Sequence, residues 1–325
     1  MLEVEGLSVS YLTREGEVKA LEEVSLSVGE GESVALVGES GCGKSTLAYT
    51  VMRLLPSNAV VKVGSVKLDG VDVLNIAEEE FRSKFRWKKV AYIPQGSFNA
   101  LNPVLKISDQ IAETILTHEH LVAEEAHLKA KGLLKLVEIP EALADAYPHQ
   151  LSGGMRQRTV MAMALTCHPR LLIADEPTTA LDVVVQAQVM SVLKSMAKNL
   201  KLSLMLITHD IALAASTCEK ITVMYAGNIV ETQPTEDFVK KPLHPYSRLL
   251  MDTIPHIHGP KRRLTTIPGD PPDMRNPPQG CRFHPRCPWV QSECQRVKPP
   301  LNTLGKRAQV ACHHPLSRGD KQRRS

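Results

Sequence analysis

No run of apolar residues in this chain approaches the roughly 18 needed to cross a bilayer, so no membrane-spanning helix is expected. Met1–Val4 is not a basic segment leading into an apolar one, which argues against a secretory leader. Internal repeats and sustained heptads are absent. The cysteines number seven, an odd count in a chain too long for a disulfide scaffold. These absences point to a soluble, intracellular protein. What is present is ample apolar material, 43% of 325 residues, enough for a buried core and against global disorder. The length suits one large domain, or one domain with a smaller appendage.

The net charge of +4 hides an asymmetry. His256–Ser325 holds 14 Lys and Arg against 4 Asp and Glu, while the preceding residues hold 25 against 31. That tail also has 11 of the 22 prolines and four of the seven cysteines. An acidic body and a basic, proline-rich, cysteine-bearing tail are the two compositional parts.

Alternating apolar residues at Leu2, Val4, Leu7, Val9 and Tyr11 predict a strand, as do Val24–Val28, Ser33–Val37, Gly64–Leu68 and Val90–Ile93. Lys44–Leu55 has a helical pattern that stops before Pro56. From Ile107 to Leu165 the period is helical, with Ile111, Ile115, Leu133, Leu134 and Val137 facing inward. Leu171–Ala174, Ser203–Ile207 and Ile221–Tyr225 are further strands. Gln186–Leu200 is helical, with Val189, Leu193, Met196 and Leu200 in one stripe. Strands alternating with helices predict an α/β core with a parallel sheet, and the central helical stretch reads as an inserted subdomain.

Gly38-Glu-Ser40-Gly41-Cys42-Gly43-Lys44-Ser45 matches the phosphate-binding loop, set between a strand and a helix as that loop requires. Glycines let backbone N–H groups turn toward phosphate oxygens, and the helix start adds partial positive charge. Lys44 would reach the β- and γ-phosphates and Ser45, followed by Thr46, would ligate Mg²⁺. Leu171–Asp175 is an apolar strand ending in carboxylates: Asp175 for Mg²⁺, Glu176 to polarise an attacking water. Alone, such acids are often solvated loop entries. Leu151-Ser152-Gly153-Gly154-Met-Arg-Gln157 places serine and two glycines before a helix, either as a second anion-binding N-terminus or as a plain N-cap on Met155–Leu165.

With that last segment the sequence resembles the ATP-binding cassette family, whose signature motif it matches. The resemblance implies an α/β cassette: a RecA-like parallel-sheet core, an antiparallel β subdomain and an inserted helical subdomain at about 97–165, within a nucleotide-binding domain of residues 1–233. It also implies that two head-to-tail cassettes sandwich ATP. Ser152, Gly153, Gly154 and Gln157 then face the partner's phosphate loop. Gln95 matches the glutamine that senses Mg²⁺ and the attacking water, and Asp182 lies in the segment that crosses to the partner. His209 matches the switch histidine at the γ-phosphate, and Tyr11 the aromatic that stacks on adenine. Mg²⁺ ligation falls to Ser45, Gln95 and Asp175 and catalysis to Glu176, His209 and Gln95. No catalytic position departs from the pattern, and ATP hydrolysis is implied.

Residues 234–325, with His244-Pro245-Tyr246, Pro268-Gly-Asp-Pro-Pro272 and Cys281, Cys287, Cys294 and Cys312, resemble the C-terminal extension of ATPases in dipeptide, oligopeptide and nickel importers. Met155–Arg158 and Asp175–Asp182 resemble the first of the two ATPases such importers carry. That implies a heterodimer with a second ATPase, two membrane permease subunits, an extracytoplasmic solute-binding protein and a place on the cytoplasmic face of the membrane. Glutathione, nickel or oligosaccharides are alternative cargoes. The four cysteines are spaced C-x5-C, C-x6-C and C-x17-C, without the close pairs usual for structural zinc. Four thiolates suit an iron–sulfur cluster, though the spacing is not a common ferredoxin one. The resemblance implies a 4Fe–4S cluster; zinc and unliganded thiols stay open, with His284, His313 and His314 as substitute ligands.

Cys42 is expected to be exposed, so that alkylation inhibits, whereas Cys167 and Cys218 read as small buried hydrophobes. The basic residues Lys261, Arg262, Arg263, Lys306, Arg307, Arg323 and Arg324 are either solvated or drawn to anionic headgroups. Nucleic acid is not expected, because no aromatic platform accompanies them. Chromosome-maintenance cassettes are disfavoured because only about a hundred residues, without heptads, separate Lys44 from Ser152. An iron–sulfur redox protein that uses nucleotide only as a switch is a second rival, without a visible flavin or NAD motif, and an export ATPase is the nearest alternative, against which the tail argues.

Overall fold

The computed structural model describes residues 1–96, 100–254, 266–305 and 307–317. By its contacts the chain divides into two units. The first is Met1–Leu2, Ser27–Ser33 and Lys67–Ile207, and the second is Glu3–Leu26, Val34–Val66 and Thr208–Ser325.

The second unit holds most of β1 (Leu2–Thr13), β2 (Gly16–Val28) and β4 (Ala59–Leu68), in the sheet order β2-β1-β4. Val4, Leu7 and Val9 are buried on β1, as period-two burial dictates. A second sheet, in the order β11-β12-β10-β9-β3, is built on β3 (Ser33–Val37), which runs parallel to β9 (Lys220–Tyr225) with Val37 opposite Val223. β10 (Asn228–Pro234) returns antiparallel to β9, with a bulge between Ile229 and Glu231. The tail then adds β12 (Ala308–Val310) antiparallel to β10, and β11 (Asn302–Leu304) antiparallel to β12. Helices of this unit are α1 (Lys44–Val51), α7 (Ile211–Thr217), α8 (Thr235–Lys240) and α9 (Pro245–Asp252). Tyr225, Tyr246 and Phe283 form one buried aromatic cluster, with ring centroids 4.6–5.3 Å apart.

In the first unit β6 (Val90–Ile93), β7 (Leu171–Asp175) and β8 (Ser203–Thr208) run parallel in the order β8-β7-β6. Every residue of β7 and β8 is buried, which is why they read as unbroken apolar runs. α3 (Ile107–His118), α4 (Ala123–Leu136) and α5 (Gly153–Ala164) pack on one another, and α5 packs on α6 (Val183–Asn199). Ile111, Ile115, Leu133, Leu134 and Val137 are all buried, as their spacing predicts. A hairpin to β5 (Val71–Asp72) and α2 (Glu78–Lys84) complete the unit.

Several boundaries differ from the sequence reading. α1 ends at Val51, not Leu55, because Arg53 takes a left-handed backbone. Leu200 is 39% exposed: it is the C-cap of α6, past the stripe formed by Val189, Leu193 and Met196. The stretch from Ile107 to Leu165 is three helices broken by 3-10 turns at Glu141–Leu143 and Pro148–Gln150. Among the described residues no helix is long and apolar enough to cross a membrane.

Among the described residues, most of the tail's positive charge is paired within the second unit. Arg275 bonds Glu15 and Asp273, Arg282 pairs with Glu22, and Lys298 with Glu22 and Glu23. Arg307 lies 3.7 Å from Glu236 at the surface. Lys261, Arg262, Arg263, Lys306, Arg323 and Arg324 lie outside the described residues.

Candidate functional site

In the second unit, β3 delivers the chain into a loop at Gly38 that enters α1 at Lys44. A Cβ at Gly38 would sit 2.1 Å from the Met224 carbonyl oxygen, so only glycine lets the loop lie this close to β9. Gly43 caps α1 without a side-chain acceptor, leaving the first N–H groups of the helix for another anion. Lys44 is buried, and its Nζ donates to the carbonyls of Gly38 (2.8 Å) and Glu39 (3.0 Å). Tyr11 and Thr46 share a hydroxyl–hydroxyl hydrogen bond of 3.1 Å, which brings the predicted adenine-stacking residue to the first turn of α1. His209 is exposed, between Thr208 at the end of β8 and Asp210, whose carboxylate caps α7 through the Leu213 N–H.

Cys42 corrects the sequence reading. It is 5% exposed, and burial pushes its thiol above the ordinary range despite the Lys44 ammonium nearby. The expected exposure does not occur, because the loop turns this side chain inward beneath Lys44. Cys218 is buried as expected, and Cys167 is half-buried.

In the first unit the two carboxylates at the end of β7 have different partners. Asp175 is 1% exposed, and its Oδ2 accepts from the Tyr92 hydroxyl on β6 at 3.1 Å. Glu176 turns out of the strand with a left-handed backbone, φ 45°, and its N–H donates to the Ile207 carbonyl. Its Oε2 accepts from Gln95 Nε2 (3.0 Å) and from Thr179 Oγ1 (3.1 Å). Gln95 and Glu176, distant in sequence, are thus joined. Tyr92 is not marked by the sequence, because an aromatic inside a short strand gives no signal of its own, and Thr179, which the sequence places in the segment that crosses to the partner, is here a donor to Glu176.

Ser152 and Gly153 are exposed at the start of α5, where Ser152 Oγ accepts from the Met155 N–H. The helix begins at Gly153, two residues earlier than the pattern indicates. Gly154 and Gln157 are buried in the packing of α5, so only Ser152 and Gly153 of this set face outward. Asp182 is an exposed N-cap of α6, accepting from the Val185 N–H.

The tail thiols are brought into electrostatic reach of one another. Burial pushes Cys281 up and Cys287 and Cys312 up to about 12; Cys312 is raised further by Cys281, Cys287 and Cys294. Yet among the described residues no group of three or more His, Cys, Asp or Glu side chains is placed to hold a metal ion. The histidines have other partners: His284 bonds the Cys281 carbonyl, His313 the Val297 carbonyl, and His313 and His314 face Glu293. The donor type suits iron or zinc, but the spacing of the sulfurs does not form a ligand set.

Residues 21–179 match the ABC transporter family, and residues 230–294 match the oligopeptide/dipeptide transporter C-terminal region. The second match covers Cys281, Cys287 and Cys294 and stops short of Cys312. The dipeptide transport ATP-binding protein DppD of Caldanaerobacter subterraneus is 44% identical over 96% of each chain. The oligopeptide transport ATP-binding protein OppD of Escherichia coli is 39% identical over 97% of this chain and 94% of that one. DppD of Haemophilus influenzae is 42% identical over 98% and 96%. Among solved structures, the ATP-binding cassette MJ0796, a dimer bound to ADP and Pi in a post-hydrolysis state, superposes with a TM-score of 0.64. It is 29% identical over 72% of this chain and 99% of that one.

Proposed function

This chain belongs to the ABC transporter family, in the branch that carries the oligopeptide/dipeptide transporter C-terminal region, and on that premise we propose that it is the ATP-hydrolysing subunit of a peptide importer. Support for the cargo class comes from the peptide-transport relatives, matched over nearly the whole chain. Its partners are two permease subunits, a solute-binding protein and a second ATPase chain, and it works peripherally on the cytoplasmic face of the membrane. Residues 1–233 are the nucleotide-binding domain, with the helical subdomain at about 97–165, and 234–325 the extension.

The observation that carries the catalytic assignment is the pair of hydrogen bonds from Gln95 and Thr179 to Oε2 of Glu176. They orient one carboxylate, beside a strand that ends in a second, buried one. Glu176 acts as the base for the attacking water and Gln95 orients it. Gly38, Ser40, Gly41, Cys42, Gly43, Lys44 and Thr46 supply the phosphate loop, Cys42 through its backbone. Tyr11 supplies an adenine contact and His209 a γ-phosphate contact. The hydroxyl of Ser45 and the oxygens of Asp175 and Gln95 are hard donors suited to Mg²⁺, which would neutralise charge on the β- and γ-phosphates. Ser152, Gly153 and Asp182, exposed on the first unit, face the second ATPase chain, with Gly154 and Gln157 shaping their helix from within. Glu176→Gln is expected to lower ATP turnover on the order of 10²–10⁴-fold while ATP still binds. Wild-type turnover in that variant would remove Glu176 from the role of base.

The four tail thiols are further proposed as a 4Fe–4S site, on the support of their donor type; because their spacing here forms no ligand set, loading would have to draw the sulfurs together. About four irons and four acid-labile sulfides per chain after anaerobic purification are expected. Zinc or no metal would overturn this without touching the ATPase assignment.

A further inference from the structure

Glu39 places a carboxylate inside a loop whose task is to hold phosphate. Left alone, that charge would oppose the ligand. The structure neutralises it with a residue 247 positions away: Arg286 donates from NH1 to Oε2 (2.7 Å) and from NH2 to Oε1 (3.0 Å). The pairing is two-pronged, and the Arg286 side chain is 5% exposed. Arg286 is itself fixed. Its Nε donates to the Pro268 carbonyl at 2.8 Å, and its guanidinium lies 5.7 Å over the Tyr225 ring. The backbone of Glu39 is held as well: its N–H donates to the Tyr246 hydroxyl at 2.9 Å. Tyr246 is fully buried on α9, whose entry is anchored by Glu231 accepting from the N–H groups of Leu243 and His244. All of these residues belong to the second unit.

We propose that Arg286 and Tyr246 are positioning residues for ATP binding: the tail grips Glu39 by side chain and backbone, presetting the phosphate loop and cancelling the charge that would repel phosphate. The proposal rests on the reading that this loop binds ATP. It makes the segment between Cys281 and Cys287, where Arg286 sits, a direct determinant of nucleotide affinity. The tail is then part of the nucleotide site and not an appendage to it.

The test uses the full chain and follows Kd for a fluorescent N-methylanthraniloyl ATP with Mg²⁺, together with KM and kcat for ATP. Arg286→Ala leaves Glu39 uncompensated and is expected to raise Kd and KM about 10-fold, with kcat within about twofold. Arg286→Lys restores charge without the fork and is expected to recover only part of the affinity. The deciding variant is the double Glu39→Gln, Arg286→Ala, which removes both charges. Its affinity is expected to match Glu39→Gln alone, because Arg286 acts through that carboxylate. Tyr246→Phe removes the acceptor for the Glu39 N–H and is expected to raise Kd about threefold on its own. An unchanged Kd in Arg286→Ala overturns the proposal. So does an equal loss with and without the Glu39 carboxylate, which would make Arg286 a residue of the fold alone. A wild-type chain that binds no ATP would overturn both this proposal and the functional reading. One that binds and hydrolyses ATP without driving peptide uptake would overturn only the peptide-import reading.

Discussion

The Tyr92 hydroxyl on β6 donates to Oδ2 of Asp175 at the end of β7, at 3.1 Å across two parallel strands. Asp175 is almost fully buried, so the orientation of its carboxylate is set by such partners and not by water. With Asp175 as the proposed Mg²⁺ ligand, Tyr92→Phe is expected to raise the Mg²⁺ concentration for half-maximal ATPase activity about 10-fold, the lower end of outer-sphere effects. kcat at saturating Mg²⁺ is expected to fall by no more than about threefold. A titration of initial rate against Mg²⁺ checks this; an unchanged midpoint would show that the phenol only packs.

Cys42 supplies the second prediction. Burial raises its thiol, and a raised thiol is a poor nucleophile because little thiolate is present near neutral pH. In the folded chain Cys42 is expected to react with N-ethylmaleimide at least about 10-fold more slowly than in the urea-unfolded chain. Peptide mapping by mass spectrometry after timed quenching measures it. Equal rates in the two states would place the thiol in solvent.

Local signals and distant ones divide what the sequence reveals. The phosphate loop, the buried strands at Leu171–Asp175 and Ser203–Thr208, and the inward faces of α3 and α4 are legible because each depends on neighbours within one element. α2 is not legible, because Glu78–Lys84 buries only Phe81 and has no apolar stripe. Nor is β10, whose buried Glu231 and Gln233 sit where the pattern demands apolar side chains. The Glu39–Arg286 pair spans 247 residues, and no local rule reaches that far. Its one sequence signal was the acid itself: a carboxylate in an anion-binding loop requires a cation from elsewhere. For Arg275, Arg282, Arg286 and Lys298, among the described residues, the charge asymmetry has the same meaning. The basic tail meets Glu15, Glu22, Glu23 and Glu39 of the acidic body, an outcome that composition alone could not separate from a membrane or polymer ligand.

His244 ties stability to pH. It is fully buried, and desolvation lowers its imidazole from 6.5 to about 3. Its neutral Nδ1 accepts from the Tyr246 N–H at the start of α9. Between pH 6.5 and about 3 the unfolded chain binds a proton here that the folded chain refuses. This contribution is therefore complete above pH 6.5 and shrinks as the pH falls, by up to about 1.4 kcal/mol per unit. His244→Asn keeps an acceptor for the helix N–H and removes the titration. From pH 6.5 to 5 the wild type is expected to lose roughly 2 kcal/mol more than the variant in urea unfolding. Glu231, raised by burial, titrates in both chains and drops out of the difference. Parallel curves would mean that the folded imidazole takes up its proton as readily as the unfolded one.

Gly154 has a structural duty within the segment proposed to face a second ATPase. A Cβ there would lie 2.5 Å from Cγ1 of Val185, on the facing turn of α6. Val185 is β-branched and stiff, so the clash is not relieved by a simple side-chain swing. Gly154→Ala is expected to destabilise the chain by about 1–3 kcal/mol through overpacking, even though alanine is the better helix former. If the clash is the cause, trimming the neighbour should cure it: Gly154→Ala with Val185→Ala is expected to recover most of the loss, beyond what the two single variants sum to. Urea midpoints of the four chains measure this coupling. Simple additivity would mean that α5 and α6 separate to admit the methyl group. The approach of the two helices would then be adjustable, and the exposed Ser152 and Gly153 at the start of α5 would have no fixed position relative to the Asp182 cap of α6.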